Sequence, residues 1–373
     1  MNSVLIFETP AQVLADALVL VSRAVAQRDQ VPAMTGVLLK AGAGEVELTA
    51  TDGEMGMRVA FAAAVEAEGS LLIPARTFAD LLRLVPADAS VQMRGLEGQV
   101  GIRFLRSRFD LPTLSHDEFP PLEFESGVEP LRVRGDALKE IVRRTSYAVS
   151  ARDDGRLFTI GMYLTVNDGH VTAATTDNHR LAWARVPALN DGAEHEILVP
   201  ARALGEICRA LPDDEVELFF EPGRLVVRTS GGLSAFLTAI RAQFPDTRRV
   251  VFETYATTVR FDLRTVLAAV ERTGLVADQK NARIRVRVDE DLMRISAGSS
   301  EGGQGAEEVA VELHGEPVEL VFGPRYLIDG LRSLPEGPSV LEVMHGESPA
   351  RFRADIEVCD QFAIVMPLRQ TES

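Results

Sequence analysis

The feature that most constrains this chain is a threefold internal repeat. The segments Ile73-Pro-Ala-Arg76, Val199-Pro-Ala-Arg202 and Phe322-Gly-Pro-Arg325 each open a short apolar-periodic run that ends at a proline: Pro86, Pro212 and Pro335. Arg76 and Arg202 lie 126 residues apart, Arg202 and Arg325 123 apart, and a third of 373 residues is close to both. Thr51-Asp52-Gly53 matches Thr176-Asp177-Asn178, Phe119-Pro120 matches Phe244-Pro245, and Arg144-Thr145 matches Arg272-Thr273 at nearly the same offset. A period that tiles the whole chain means three copies of one supersecondary unit, and this limits the fold more than any single motif does.

Within each third the pattern is the same. A helix-period window comes first (11–27, 136–149, 263–276), as in Leu138, Ile141 and Val142. Alternating strand-like runs follow, such as Val46-Glu-Leu-Thr-Ala50 and Ile284-Arg-Val-Arg-Val288. The repeated second helix starts next to a proline, which suits the first turn because its missing N–H costs nothing there. The residue ahead of the second proline is pushed out of the α region, which ends the helix. The expected fold is α+β, with three domains of two helices on antiparallel sheets at 1–122, 129–250 and 256–373.

The second helix of each third carries R-x3-[DE]-x2-R: Arg76, Asp80, Arg83; Arg202, Glu206, Arg209; Arg325, Asp329, Arg332. Positions i, i+4 and i+7 share one helix face. The other face is apolar: Phe78, Leu82, Val85; Leu204, Cys208, Leu211; Leu327, Leu331, Leu334. One such helix would be a solvated face with an ion pair, but three copies point to a shared role. The net charge of −16 argues against a simple basic nucleic-acid binder. The expected helices, however, hold thirteen Lys/Arg against nine Asp/Glu, a net +4 that leaves −20 elsewhere. A weakly basic helix surface suits loose phosphate contacts without base readout.

Other classes are excluded on residue grounds. The two cysteines, Cys208 and Cys359, and the unpaired spacing of the six histidines offer no disulfide framework and no metal site. No Walker loop or G-x-G-x-x-G occurs, so no nucleotide cofactor is expected. Asp177 and His179, or Asp52 and Glu54 in the repeat counterpart, are the acid–base candidates, but His179 has no matching His in the other repeats. A repeat adaptor that does not touch DNA is the other rival. No apolar run is long enough to span a bilayer and no leader pattern opens the chain, so the expected location is cytoplasmic.

The chain resembles the bacterial sliding clamps, the beta subunit of DNA polymerase III, along its whole length. The resemblance rests on Thr175-Thr-Asp-Asn-His-Arg-Leu-Ala182, Gln243-Phe-Pro-Asp-Thr-Arg-Arg-Val250, Ser107-Arg-Phe-Asp-Leu-Pro-Thr-Leu114 and Val365-Met-Pro-Leu-Arg369. It implies a homodimer closed head-to-tail into a six-domain ring. That ring encircles duplex DNA and tethers the replicative polymerase and other replication or repair proteins, with no catalysis of its own. It also implies a cleft that takes clamp-binding peptides of polymerase and clamp-loader subunits. The matching residues are Thr159, Thr176, Asn178, His179, Arg180, Leu181, Pro245, Arg249, Val250, Tyr326, Val365, Met366, Pro367, Leu368 and Arg369, with aliphatic walls and the Arg and His at the rim. Residues expected to face DNA are Arg28, Arg76, Arg83, Arg152, Arg156, Arg202, Arg209, Arg325 and Arg332. Phe109, Leu275 and Val276 match the joint between protomers. Asn178 departs from the family's usual Gly, and Thr159 stands at a cleft position usually filled by an apolar side chain.

Overall fold

The computed structural model describes residues 5–27, 31–96, 98–152, 155–277, 282–299, 303–356 and 360–369. They gather into two compact units, Met1–Lys139 with Ala188–Ala239, and Glu140–Pro187 with Ile240–Ser373. The six expected helices are present: α1 (Ala11–Val21), α2 (Ala75–Leu82), α3 (Gly135–Thr145), α4 (Ala201–Ala210), α5 (Leu263–Gly274) and α6 (Pro324–Ser333). The longer helices expected at 11–27 and 136–149 stop early. Each tightens into a 3₁₀ turn, Ser22–Ala24 and Ser146–Ala148, before the chain turns extended at Val25 and Val149.

The first unit holds two antiparallel sheets. One is five-stranded, in the order 64–67, 6–10, 90–96, 99–104, 107–112. The other is eight-stranded, in the order 131–134, 215–221, 224–229, 233–238, 55–62, 45–51, 36–42, 69–74. The second unit holds the antiparallel run 161–167, 170–176, 180–187, 361–365, 350–354, 338–343, 257–262, 312–314 and a four-stranded sheet in the order 304–310, 292–298, 284–289, 318–322. In each unit one strand pair joins successive repeats. Leu233–Thr238 lies against Met55–Ala62, with Leu237 opposite Met55, and Gln361–Val365 lies against Arg180–Pro187, with Val365 opposite Arg180. At the first joint a Cβ on Gly56 would sit 2.3 Å from the Phe236 ring, so the absence of a side chain lets the two strands close. Because these sheets run through the repeat boundaries, the compact units do not coincide with thirds of the sequence.

The apolar faces of α2, α4 and α6 go where the periodicity puts them. Phe78, Leu204 and Leu331 are fully buried, and Leu82, Val85, Cys208, Leu211, Leu327 and Leu334 are buried too. On the opposite faces Arg76, Arg83, Arg202, Arg209, Arg325 and Arg332 are exposed. Truncating a fully buried leucine removes transfer energy and leaves a cavity, about 2–5 kcal/mol. Losing an exposed arginine stays near 0.5 kcal/mol. Leu204→Ala is therefore expected to lower the thermal unfolding midpoint by several degrees and Arg202→Ala to leave it nearly unchanged, as read by differential scanning calorimetry.

Candidate peptide cleft

The second unit places the Thr175–Ala182 motif on two paired strands and their turn. Thr176 and Leu181 face each other across the ladder, and Asp177–His179 reverse the chain. The turn is built by its own side chains. The Thr176 hydroxyl donates to the Arg180 carbonyl at 2.6 Å and accepts from the Asn178 N–H at 3.1 Å. Asp177 Oδ1 accepts from the N–H groups of His179 and Arg180 at 3.0 and 3.1 Å. Asn178 takes the left-handed conformation, φ 71°, which Asn tolerates better than most residues. The repeat counterpart Thr51-Asp52-Gly53 makes the same network: Thr51 to the Met55 carbonyl at 2.6 Å, Asp52 to two N–H groups, and Gly53 at φ 92°. The turn is thus a property of the repeat, and the second copy adds an arginine to it.

Arg180 differs from its expected place at the rim. Its side chain is 5% exposed. Nε donates to Asp177 Oδ2 at 3.0 Å and an Nη donates to Asp329 Oδ2 at 2.6 Å. The guanidinium lies 5.0 Å from the Tyr326 ring centre and 5.4 Å from that of Tyr147. A planar cation with a fixed fork can serve two carboxylates and two aromatic faces at once, and a lysine cannot. Arg180 therefore bolts the turn to α6 from beneath. Burial pushes the Tyr147 phenol up to about 12, so this wall of the bracket stays neutral. His179 remains outside, exposed, with its ring stacked on Tyr326 at 5.4 Å and 11°.

The segment Val365–Arg369 lies against the same turn. Val365 is fully buried and pairs with both Arg180 and Ala350, so it is a floor rather than a contact surface. Leu181 is buried as well. The Met366 N–H donates to the His179 carbonyl at 2.8 Å, and the Leu368 N–H to the Val321 carbonyl at 2.7 Å. Met366, Pro367 and Leu368 are half-buried and Arg369 is exposed. The second motif is anchored separately: Phe244 stacks on Tyr163 at 4.9 Å, Pro245 and Arg249 are exposed, and Val250 is half-buried behind the 3₁₀ turn Thr247–Arg249. Thr159 departs from its expected cleft position. It is 0% exposed and its hydroxyl donates to the Arg156 carbonyl at 2.8 Å, so it offers no open subsite.

Tyr147 and Asp177 join the site beyond the residues expected there. The Asp177-x-x-Arg180 spacing across a turn was a usable signal for the acid. Tyr147, distant in sequence and on another element, had none. Asp177 is occupied in the turn and the bracket, which removes it as a free acid–base group. Among the described residues, no cluster of His, Cys, Asp and Glu could hold a metal ion, and no helix is long and apolar enough to cross a membrane.

Of the residues expected to face DNA, Arg152 and Arg156 are exposed, as are the six arginines of α2, α4 and α6, while Arg28 lies outside the described residues. The motif acids behave differently in each copy. Asp80 pairs with Arg83 at 3.3 Å. Glu206 pairs with Arg209 and with Arg23. Asp329 pairs with Arg180 and, at 3.7 Å, with Arg325, and Arg332 takes Glu271 instead at 2.7 Å.

Three repeats of two helices on antiparallel sheets, joined strand to strand, define a processivity-clamp architecture. Models of the N-terminal, central and C-terminal domains of the DNA polymerase III beta subunit match residues 5–123, 132–246 and 248–369. The beta sliding clamp of Synechococcus elongatus is 31% identical over 348 residues, 90% of this chain and 92% of that protein. That of Pseudomonas aeruginosa is 29% identical over 367 residues, 97% and 99% of the two chains. A crystal structure of the P. aeruginosa clamp bound to griselimycin superposes with TM-score 0.91 at 28% identity, covering 98% of this chain and all of that one. The C. crescentus beta sliding clamp gives 0.92 at 26%, covering 99% and 100%. The chain belongs to the DNA polymerase III beta subunit family, the beta sliding clamps. It is a non-catalytic processivity subunit.

Removing Arg180 would leave the buried side of Asp177 without this cation and Asp329 with Arg325 alone at 3.7 Å, and breaking a buried pair costs about 3–5 kcal/mol. Arg180→Ala is expected to lower the urea midpoint of unfolding strongly, and Arg180→Lys to recover less than half of the loss.

Proposed function

We propose that two copies of this chain close head-to-tail into a six-domain ring around duplex DNA, and that the cleft beside Arg180 takes the peptides of polymerase and clamp-loader subunits. The observation that carries the ring is the pattern of unpaired strands. Each joint between repeats pairs a late strand of one repeat (233–238 or 361–365) with an early strand of the repeat before it (55–62 or 180–187). The first repeat's late strand, Ser107–Pro112, and the third repeat's early strand, Gln304–Ala310, are both sheet edges. Pairing them between two copies would repeat the same joint twice more, and a head-to-tail contact that closes gives a ring. Solvent-facing strand edges otherwise invite aggregation.

Charged and apolar side chains lie at both edges. Arg106, Arg108 and the 41%-exposed Phe109 lie at or beside the first, where Arg108 pairs with Asp110 at 3.3 Å, and Glu307 and Glu308 lie on the second, paired within the chain with Arg272 and Arg294. Leu275, 84% exposed, follows α5, and Val276 packs on Gly305. An exposed leucine and phenylalanine at the two ends are consistent with a joint, where partners would cover them.

The exposed arginines of α2, α4 and α6, with Arg152 and Arg156, would provide sequence-independent phosphate contacts. Their ion pairs with Asp80, Glu206 and Glu271 would keep those contacts weak enough for sliding. The acidic remainder would repel DNA from other surfaces. The proposed domain boundaries remain 1–122, 129–250 and 256–373.

Light scattering of the purified chain is expected to give twice the chain mass, and Arg106→Glu with Arg108→Glu to shift it toward one chain. Loaded by a clamp loader, the protein should stay on closed circular DNA and be lost from linear ends, and equal salt-sensitive retention on both would refute the ring. For the cleft, Met366→Asp is expected to weaken a labelled peptide with apolar anchors and a glutamine at least tenfold in anisotropy titrations while leaving the mass unchanged. Unchanged peptide affinity would refute the assignment.

A further inference from the structure

The outer face of the four-stranded sheet carries a recess of about 450 Å³. Its floor is made of small residues, Ser296, Ala297, Gly298, Gly305 and Ala306, and three arginines stand round it: Arg283, Arg285 and Arg294. The strand alternation explains the split. Ile284, Val286, Val288, Met293 and Ile295 are buried on the other face, so the intervening arginines point outward. Arg285 and Arg294 are 55% and 60% exposed, steadied by Glu319 and, at 3.9 Å, by Glu308, neither of which lines the recess. In a chain of net −16, three guanidinium groups round one hollow are a local exception.

The recess borders the segment Met366–Arg369 of the candidate cleft. Val321 lines it and accepts the Leu368 N–H at 2.7 Å, and Arg283 lines it and reaches the Arg369 carbonyl at 3.5 Å. The recess is therefore within reach of residues flanking a peptide held beside Leu368 and Arg369. We propose that the recess is an annex of the cleft, and that it receives aspartate or glutamate residues flanking a bound partner peptide. The proposal rests on the cleft reading above. Guanidinium forks match carboxylates in two-point geometry, and a floor without bulky side chains admits an extended backbone close to the sheet. Elsewhere the protein's charge would repel such a segment, so the arginines would select partners by what lies beside the anchor motif.

The test uses the full chain and three labelled peptides: a neutral core with apolar anchors and a glutamine, and the same core with Asp-Glu-Asp added before or after it. In anisotropy titrations at 50 mM salt, one acidic peptide is expected to bind roughly fivefold tighter than the core. That gain should fall below twofold in an Arg285→Ser/Arg294→Ser variant and at 500 mM salt. The core peptide should bind wild type and variant alike. Equal binding of all three peptides to wild type, or a variant that weakens core and acidic peptides equally, would overturn the annex while leaving the cleft standing. Core binding that ignores Met366→Asp would refute the cleft, and the annex with it. A single-stranded oligonucleotide that binds through Arg285 and Arg294 while the acidic flanks add nothing would overturn the proposal in favour of nucleic acid.

Discussion

Short amphipathic helices are not stable alone, and those of this chain span only 8 to 12 residues. What holds them is burial of one face against a sheet. Phe78, Leu204 and Leu331 are sealed while Arg76, Arg202 and Arg325 stay in water, and this division is repeated at every second helix. The apolar face fixes where the helix lies, and so fixes where its charged face points. The three arginine faces are a by-product of packing, positioned without further stabilisation of their own.

The strand joints extend the same economy. A repeat leaves one early strand edge open, and the late strand of the next repeat closes it. Of the two edges left over at the ends, Ser107–Pro112 carries the exposed Phe109 and Gln304–Ala310 carries two glutamates. An edge this long would be a liability in a monomer. Its persistence is the reason to expect a closed assembly rather than a free chain.

Around the cleft, repetition gives way to specialisation. The Thr51 and Thr176 turns make the same hydrogen bonds, yet the first ends at Met55 and the second at Arg180. That one substitution within the repeat recruits Asp329 from the third R-x3-[DE]-x2-R helix and two tyrosines from separate elements. The acid that is a surface ion-pair partner in α2 becomes part of a buried bracket in α6, and Arg332 turns to Glu271. The face proposed to contact phosphate and the proposed cleft thus share one helix.

The residues alone were enough for the threefold period, the six helices and their buried and exposed faces, because these depend on local spacing. The burial of Arg180, the floor positions of Val365 and Leu181, the enclosure of Thr159 and the role of Tyr147 were not legible. Each depends on which distant strand or helix lies alongside, and spacing along a chain carries no information about that. The compact units cut through the middle repeat for the same reason: strand pairing is decided in three dimensions, where an open edge takes the nearest complementary strand whatever repeat it belongs to.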